Sequence, residues 1–344
     1  MSGKSRIVEI DILKGLCMLF VVLGHAGFFK SIGVMWMFSA FYMPCFFLLS
    51  GLLANFDKYN FKTYVNKQIK RLIIPYFFWA FFHLLIMIVV NSIRHDTNST
   101  EYIKGVFWDN NIHFPIAGAL WFVSSVFFVS IGCFLLYSVV GSVYLRVTII
   151  IIVVYIGLYV RPFLPWSMDS GLVAFGFFSV GFFWKNMIMK FMKKSENGYM
   201  LFFLKYGIVV ALTYFIISYF NRYVNVRICE YGKNPMVFFV NALLGCVFFG
   251  LVSCGLSKLG RKSRIFKSII VDWLASVGKN SMIYICINQI IVIAVRKIFQ
   301  VGESTIRMLF CGIITMVIIH FFNSFLLNFP NKQIRDNYKI IVGA

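Results

Sequence analysis

The stretch Arg6-Ile-Val-Glu9-Ile-Asp11-Ile-Leu-Lys14-Gly15-Leu-Cys-Met-Leu-Phe-Val-Val-Leu-Gly24-His25 opens the chain's first long apolar run. It decides how the rest is read. An ionisable side chain inside a lipid-embedded helix is costly, so His25 is a functional-site candidate by default. Lys14 lies eleven residues earlier, about 1100° of helical rotation, which returns to nearly the same face roughly 16 Å away along the axis. Asp11, three residues before Lys14, falls near that face and can pair with it. A cation near the membrane surface and a titratable imidazole deeper in, aligned on one helix, suit an elongated anionic ligand. The competing structural reading makes Asp11 and Lys14 interfacial anchors and His25 a packed imidazole bonded to a neighbouring helix.

Working outward, similar apolar runs recur to the end of the 344-residue chain. The chain is 60% hydrophobic and 13% charged. No soluble-looking block interrupts the runs, so two soluble domains are rejected in favour of an all-α integral membrane protein. Lipid demands internal satisfaction of backbone groups, which leaves helices or a closed barrel. Continuous apolar runs lack the dyad alternation of barrel strands. Ten spans are expected, near 12–30, 34–54, 72–92, 117–140, 146–161, 170–189, 201–220, 235–257, 279–299 and 306–329. They form one bundle over residues 1–344, with short cytoplasmic tails near 1–11 and 330–344. Glu9, Asp11 and Lys14 argue that the N-terminal segment is a retained helix rather than a cleaved signal peptide.

The net charge of +21 does not mark a nucleic-acid binder. Its lysines and arginines cluster beside apolar spans, where they set orientation and touch anionic lipid or ligand. Most of them fall on the side of the N-terminus, which predicts both ends in the cytoplasm and a multi-pass protein of the inner (cytoplasmic) membrane. The longest outer loop, about 93–116, carries Asp96, Glu101 and Asp109 and is too short for a soluble catalytic domain. The eight cysteines show no zinc-like or redox spacing and read as small buried apolar residues. No metal site is expected.

Further motifs cluster polar chemistry. Lys67, Lys70 and Arg71 stand at i, i+3 and i+4, either as ordinary positive-inside anchors or as an anion clamp for a phosphorylated ligand entering from the cytoplasm. In Met43-Pro44…Ser50-Gly51, Pro44 should kink the second span, and Ser50-Gly51 should permit close helix approach. Gly118-Ala-Leu-Trp121-Phe122 starts an outer helix. Gly278-Lys279-Asn280-Ser281 opens the ninth span, where Asn280 and Ser281 alone would be a helix cap. His83, Asn241, Asn288, Gln289, His320 and Asn323 read as helix-to-helix glue.

Taken in order, these motifs resemble the acyltransferase family 3 membrane proteins, especially the fucose 4-O-acetylase-like branch. The resemblance spans nearly the whole chain. It rests on Asp11-x-x-Lys14-Gly15 with Gly24-His25, Met43-Pro44…Ser50-Gly51, Lys70-Arg71…Pro75-Tyr76, Leu120-Trp121-Phe122 and Gly278-Lys279-Asn280-Ser281. Many relatives carry a histidine shortly after the last of these, where this chain has Asn288. The resemblance implies an O-acetyltransferase that moves an acetyl group from cytoplasmic acetyl-CoA to a sugar hydroxyl of a cell-surface polysaccharide or its lipid-linked precursor. Lys14, Lys67, Lys70 and Arg71 would hold the donor's phosphates. His25 would act as general base or carry the acetyl group transiently. Asp11 belongs to the same catalytic motif, and Asn280 or Ser281 would stabilise the oxyanion. The implied partners are an acyl-CoA donor, a glycan or lipid-linked sugar acceptor and membrane lipids. The alternative is a polytopic transporter or flippase for a lipid-linked sugar or small anion, since intramembrane polar groups also mark substrate pathways.

Overall fold

The computed structural model describes residues 7–94, 99–110, 118–161, 163–194, 206–302 and 304–343. Lys4, Arg6, Asp96 and the first part of the seventh expected span lie outside them. The described residues form helices and no sheet, with a single isolated bridge between Asn225 and Glu230.

In chain order the helices are α1 (Val8–His25), α2 (Phe28–Ser31), α3 (Met35–Ser39), α4 (Tyr42–Leu53), α5 (Phe61–Gln68), α6 (Ile74–Arg94) and α7 (Ser99–Phe107). They continue with α8 (Trp121–Val139), α9 (Val143–Tyr155), α10 (Met168–Phe183), α11 (Lys185–Lys194), α12 (Ile208–Asn221) and α13 (Pro235–Lys262). The last four are α14 (Asp272–Lys279), α15 (Ser281–Ile298), α16 (Thr305–Leu327) and α17 (Lys332–Ile341). Eight helical segments among the described residues are long and apolar enough to cross a membrane. Two expected spans fall short of that standard for different reasons. The segment α1 carries Glu9, Asp11 and Lys14, and α12 has only 14 described helical residues.

Helix α1 sits inside the bundle, packed against α4, α13, α14, α15 and α16. Its closest crossing, with α14, is built by two glycines. A Cβ on Gly15 would overlap the Leu274 carbonyl, and a Cβ on Gly278 would overlap the Asp11 carbonyl. The two backbones touch because neither residue has a side chain, the close approach that small residues give membrane helices. The expected close approach at Gly51 is likewise met, against the Phe178 backbone of α10.

The break in the second span falls at Ala40–Phe41, between α3 and α4, so Pro44 stands in the first turn of α4. Proline is tolerated there because the missing N–H would be unpaired anyway. Lys67, Lys70 and Arg71 lie on a continuous helix. A π-helical turn at Ile69–Ile73 runs α5 into α6, making one helical rod from Phe61 to Ile93. All eight cysteines are buried thiols outside any disulfide.

Candidate active site

Helix α1 carries Lys14 near its start and His25 at its end, and each opens into a different cavity. The Lys14 cavity, about 170 Å³, is lined by Lys14 from α1, Lys67 and Arg71 from the α5–α6 rod, and Lys279, Asn280 and Ser281 from the α14–α15 junction. Lys14 is half-buried, whereas Lys67, Arg71 and Lys279 are exposed around it. Four cations from three parts of the chain thus face one space. A lining with this many cations suits an anionic ligand. Lys67 Nζ donates to the Tyr59 hydroxyl at 3.0 Å. That bond holds the Tyr59 phenol below its ordinary range.

Lys70 lies elsewhere. It is exposed and lines neither cavity. The cavity face of the rod is Tyr64, Lys67, Gln68 and Arg71, a stripe at i, i+3, i+4 and i+7. Lys70 points away from the centre of that stripe. Asp11 is buried where α1 meets Gly278 and also lines neither cavity.

Asn280 does not cap α15 with its side chain. Its Nδ2 donates back to the Ser276 carbonyl at 2.9 Å, closing the end of α14. Asn280 and Ser281 therefore face the Lys14 cavity rather than standing beside His25.

The His25 cavity, about 320 Å³, is lined by His25, Tyr42, Gly118, Trp121, Tyr223 and Arg227, among others. Arg227 comes from the short segment after α12, and burial lowers its pKa from the usual arginine value, with Asp109 acting in the opposite sense. His25 is exposed to this cavity, and its Nδ1 lies 3.3 Å from Gln289 Nε2. Gln289 Oε1 in turn accepts the Gly118 N–H at 2.7 Å. Asn288 points elsewhere, donating to the Tyr284 and Ile285 carbonyls of its own helix.

Phe46, Phe122 and Ile285 line both cavities. The two spaces thus abut, with these three apolar side chains as the shared wall. Cations on one side and an imidazole on the other, separated by a thin apolar partition, can hold an anionic donor and an acceptor at one reacting point.

Sequence reasoning did not assign Lys279, Arg227 or Gln289. Lys279 stood in a recognised motif but was not assigned to the anion clamp. Gln289 reads in the sequence as helix-to-helix glue, one position after Asn288. Arg227 carries no local signal, because a loop far along the chain brings it to His25.

A family model described as an acyltransferase domain, acyltransferase family 3, matches residues 7–323. The chain belongs to that family. It is a membrane acyltransferase, with a donor and an acceptor substrate. No curated protein and no solved structure matches it. The match takes in α1 through most of α16, and so both cavities apart from the contribution of Val342 and Gly343 to the Lys14 cavity.

Proposed function

We propose that this acyltransferase is an O-acetyltransferase that takes acetyl-CoA from the cytoplasm into the Lys14 cavity. The acetyl group passes to a sugar hydroxyl, of a surface polysaccharide or its lipid-linked precursor, held in the His25 cavity. The observation that carries this reading is the pair of abutting cavities, cationic on one side and imidazole-bearing on the other. The excess of basic residues on the N-terminal side supports a cytoplasmic Lys14 cavity, and the place of His25 at the far end of α1 supports an outward-facing His25 cavity.

Lys67, Arg71 and Lys279 ring the donor's phosphates, where charge-assisted hydrogen bonds are strongest. Lys14, deeper and half-buried, holds the end of the polar part nearest the partition. The thioester reaches the partition formed by Phe46, Phe122 and Ile285, where the acceptor hydroxyl meets it. His25 takes the hydroxyl proton, a task for which an imidazole is suited near neutral pH. Asn280 and Ser281 act on the donor side of the partition.

The test is direct. Express the His25→Ala variant at normal level and measure ester-linked acetate on the surface glycan. Loss of acetate with retained acetyl-CoA binding in purified protein supports the reading. Normal acetylation sinks it. Absence of acetyl-CoA binding together with sugar efflux from vesicles would instead favour a transporter.

A further inference from the structure

The contact between His25 and Gln289 fixes more than a position. A backbone N–H can only donate, and the Gly118 N–H donates to one end of the Gln289 amide at 2.7 Å. That end must be the oxygen. The other end is the NH₂ group, which offers hydrogens and no lone pair. It faces His25 Nδ1 at 3.3 Å, so Nδ1 presents its lone pair. A neutral imidazole with its lone pair on Nδ1 carries its hydrogen on Nε2.

The relay is tightly seated. A Cβ at position 118 would stand 3.2 Å from Gln289 Oε1 and would also run into the Arg227 guanidinium. A bare glycine lets the N–H, the amide and the guanidinium meet at one spot beside His25.

Resting on the reading of His25 as the base, we propose that Gln289 is a positioning residue that holds His25 in the Nε2–H tautomer. Nδ1 is then the nitrogen that takes the acceptor's proton. The 3.3 Å contact is long for a nitrogen-to-nitrogen hydrogen bond, and the acceptor hydroxyl displaces it. The O–H bond breaks and its proton moves to Nδ1, giving an imidazolium. The oxygen forms its bond to the thioester carbonyl carbon. When the tetrahedral adduct collapses, the C–S bond breaks and the imidazolium returns the proton to the departing sulfur. The products are the acetyl ester and the free thiol of CoA, with no other reactant required.

The tautomer is read by two-dimensional ¹⁵N–¹H correlation on the full-length protein labelled at histidine, with His25 assigned by its loss in His25→Ala. In the wild type, Nδ1 should show the shift of a bare nitrogen and Nε2 that of a protonated one. Gln289→Glu keeps the shape but accepts instead of donating, so it should move the hydrogen to Nδ1. Gln289→Leu should leave a mixture. Transfer from [¹⁴C]acetyl-CoA to endogenous acceptor in membrane vesicles should lose about 10- to 100-fold in kcat in Gln289→Glu, below the roughly 10⁴ seen when a triad histidine is forced into the wrong tautomer, and only about two- to fivefold in Gln289→Leu, where part of the population keeps the active tautomer. KM for acetyl-CoA should stay within about twofold, because donor binding is untouched.

Nδ1–H in the wild type, an unchanged tautomer in Gln289→Glu, or unchanged kcat overturns the proposal. The two readings fail separately. Activity in His25→Ala removes the base itself. An inactive His25→Ala beside a Gln289→Leu variant with normal tautomer and kcat removes only the role of Gln289.

Discussion

The two cavities on either side of Phe46, Phe122 and Ile285 are built by opposite strategies. The Lys14 cavity gathers long flexible cations, most of them exposed, from three parts of the chain. The His25 cavity has one imidazole fixed by an amide and a backbone N–H, with the Arg227 guanidinium close by. Many mobile charges give strong, forgiving binding, whereas fixed dipoles give a defined proton path. On the proposed reading, the contrast is a division of labour in which affinity for the donor resides on one side and the geometry of the reaction on the other.

That division is open to attack by mutation. The largest effect belongs to the His25 side. His25→Ala should lower turnover by about 10²–10⁴-fold, the usual worth of a general base, and leave acetyl-CoA binding intact in a direct binding measurement. Loss of donor binding in this variant would mean that the two sides are not separate. Next comes the Lys14 side. Arg71→Ala and Lys14→Ala should each raise KM for acetyl-CoA by roughly 10- to 100-fold, as expected for removing a hydrogen bond between charged groups worth about 1.5–3 kcal/mol. The saturated rate should hold, which steady-state kinetics in vesicles would read.

A third variant attacks the element both sides share. Gly278→Ala drives a methyl group into the Asp11 carbonyl and should cost about 1–3 kcal/mol of stability. A thermal melt in detergent would show the fall in midpoint, and both donor binding and turnover should suffer together. The smallest effect is expected from Lys70→Ala. Lys70 is exposed and lines neither cavity, so its removal should change KM for acetyl-CoA by less than about twofold, the residue of a screened surface charge. An Arg71-sized effect at Lys70 would redraw the donor side.

The asymmetry also explains what could be read from the chain. Lys14 and His25 were legible because both lie on one helix, where spacing alone fixes their relative placement. The apolar runs announced most of the spans, and Gly51 stood in a motif whose packing role follows from its missing side chain, whereas the matching role of Gly278 came only with the structure. Lys70 was harder. A basic face at i, i+3 and i+4 is real, yet the cavity is centred on the neighbouring stripe through Tyr64 and Gln68. Which stripe faces inward depends on what the rod packs against. Gln289 and Arg227 were harder still, because their role arises only when α15 and the 222–234 segment converge on Gly118 from distant parts of the chain.

The thin partition has an electrical consequence. If the cavities open to opposite faces as proposed, the membrane would narrow locally to Phe46, Phe122 and Ile285, and most of the transmembrane voltage would fall across them. Each elementary charge carried through that field gains or loses about 2.3 kcal/mol per 100 mV. In the proposed reaction an acetyl group is neutral and would cross without electrical work, while the phosphates of CoA would stay on the face they entered. Turnover should therefore be indifferent to the energised state of the membrane, and an opening at Phe46 wide enough for water would turn the enzyme into an ion leak.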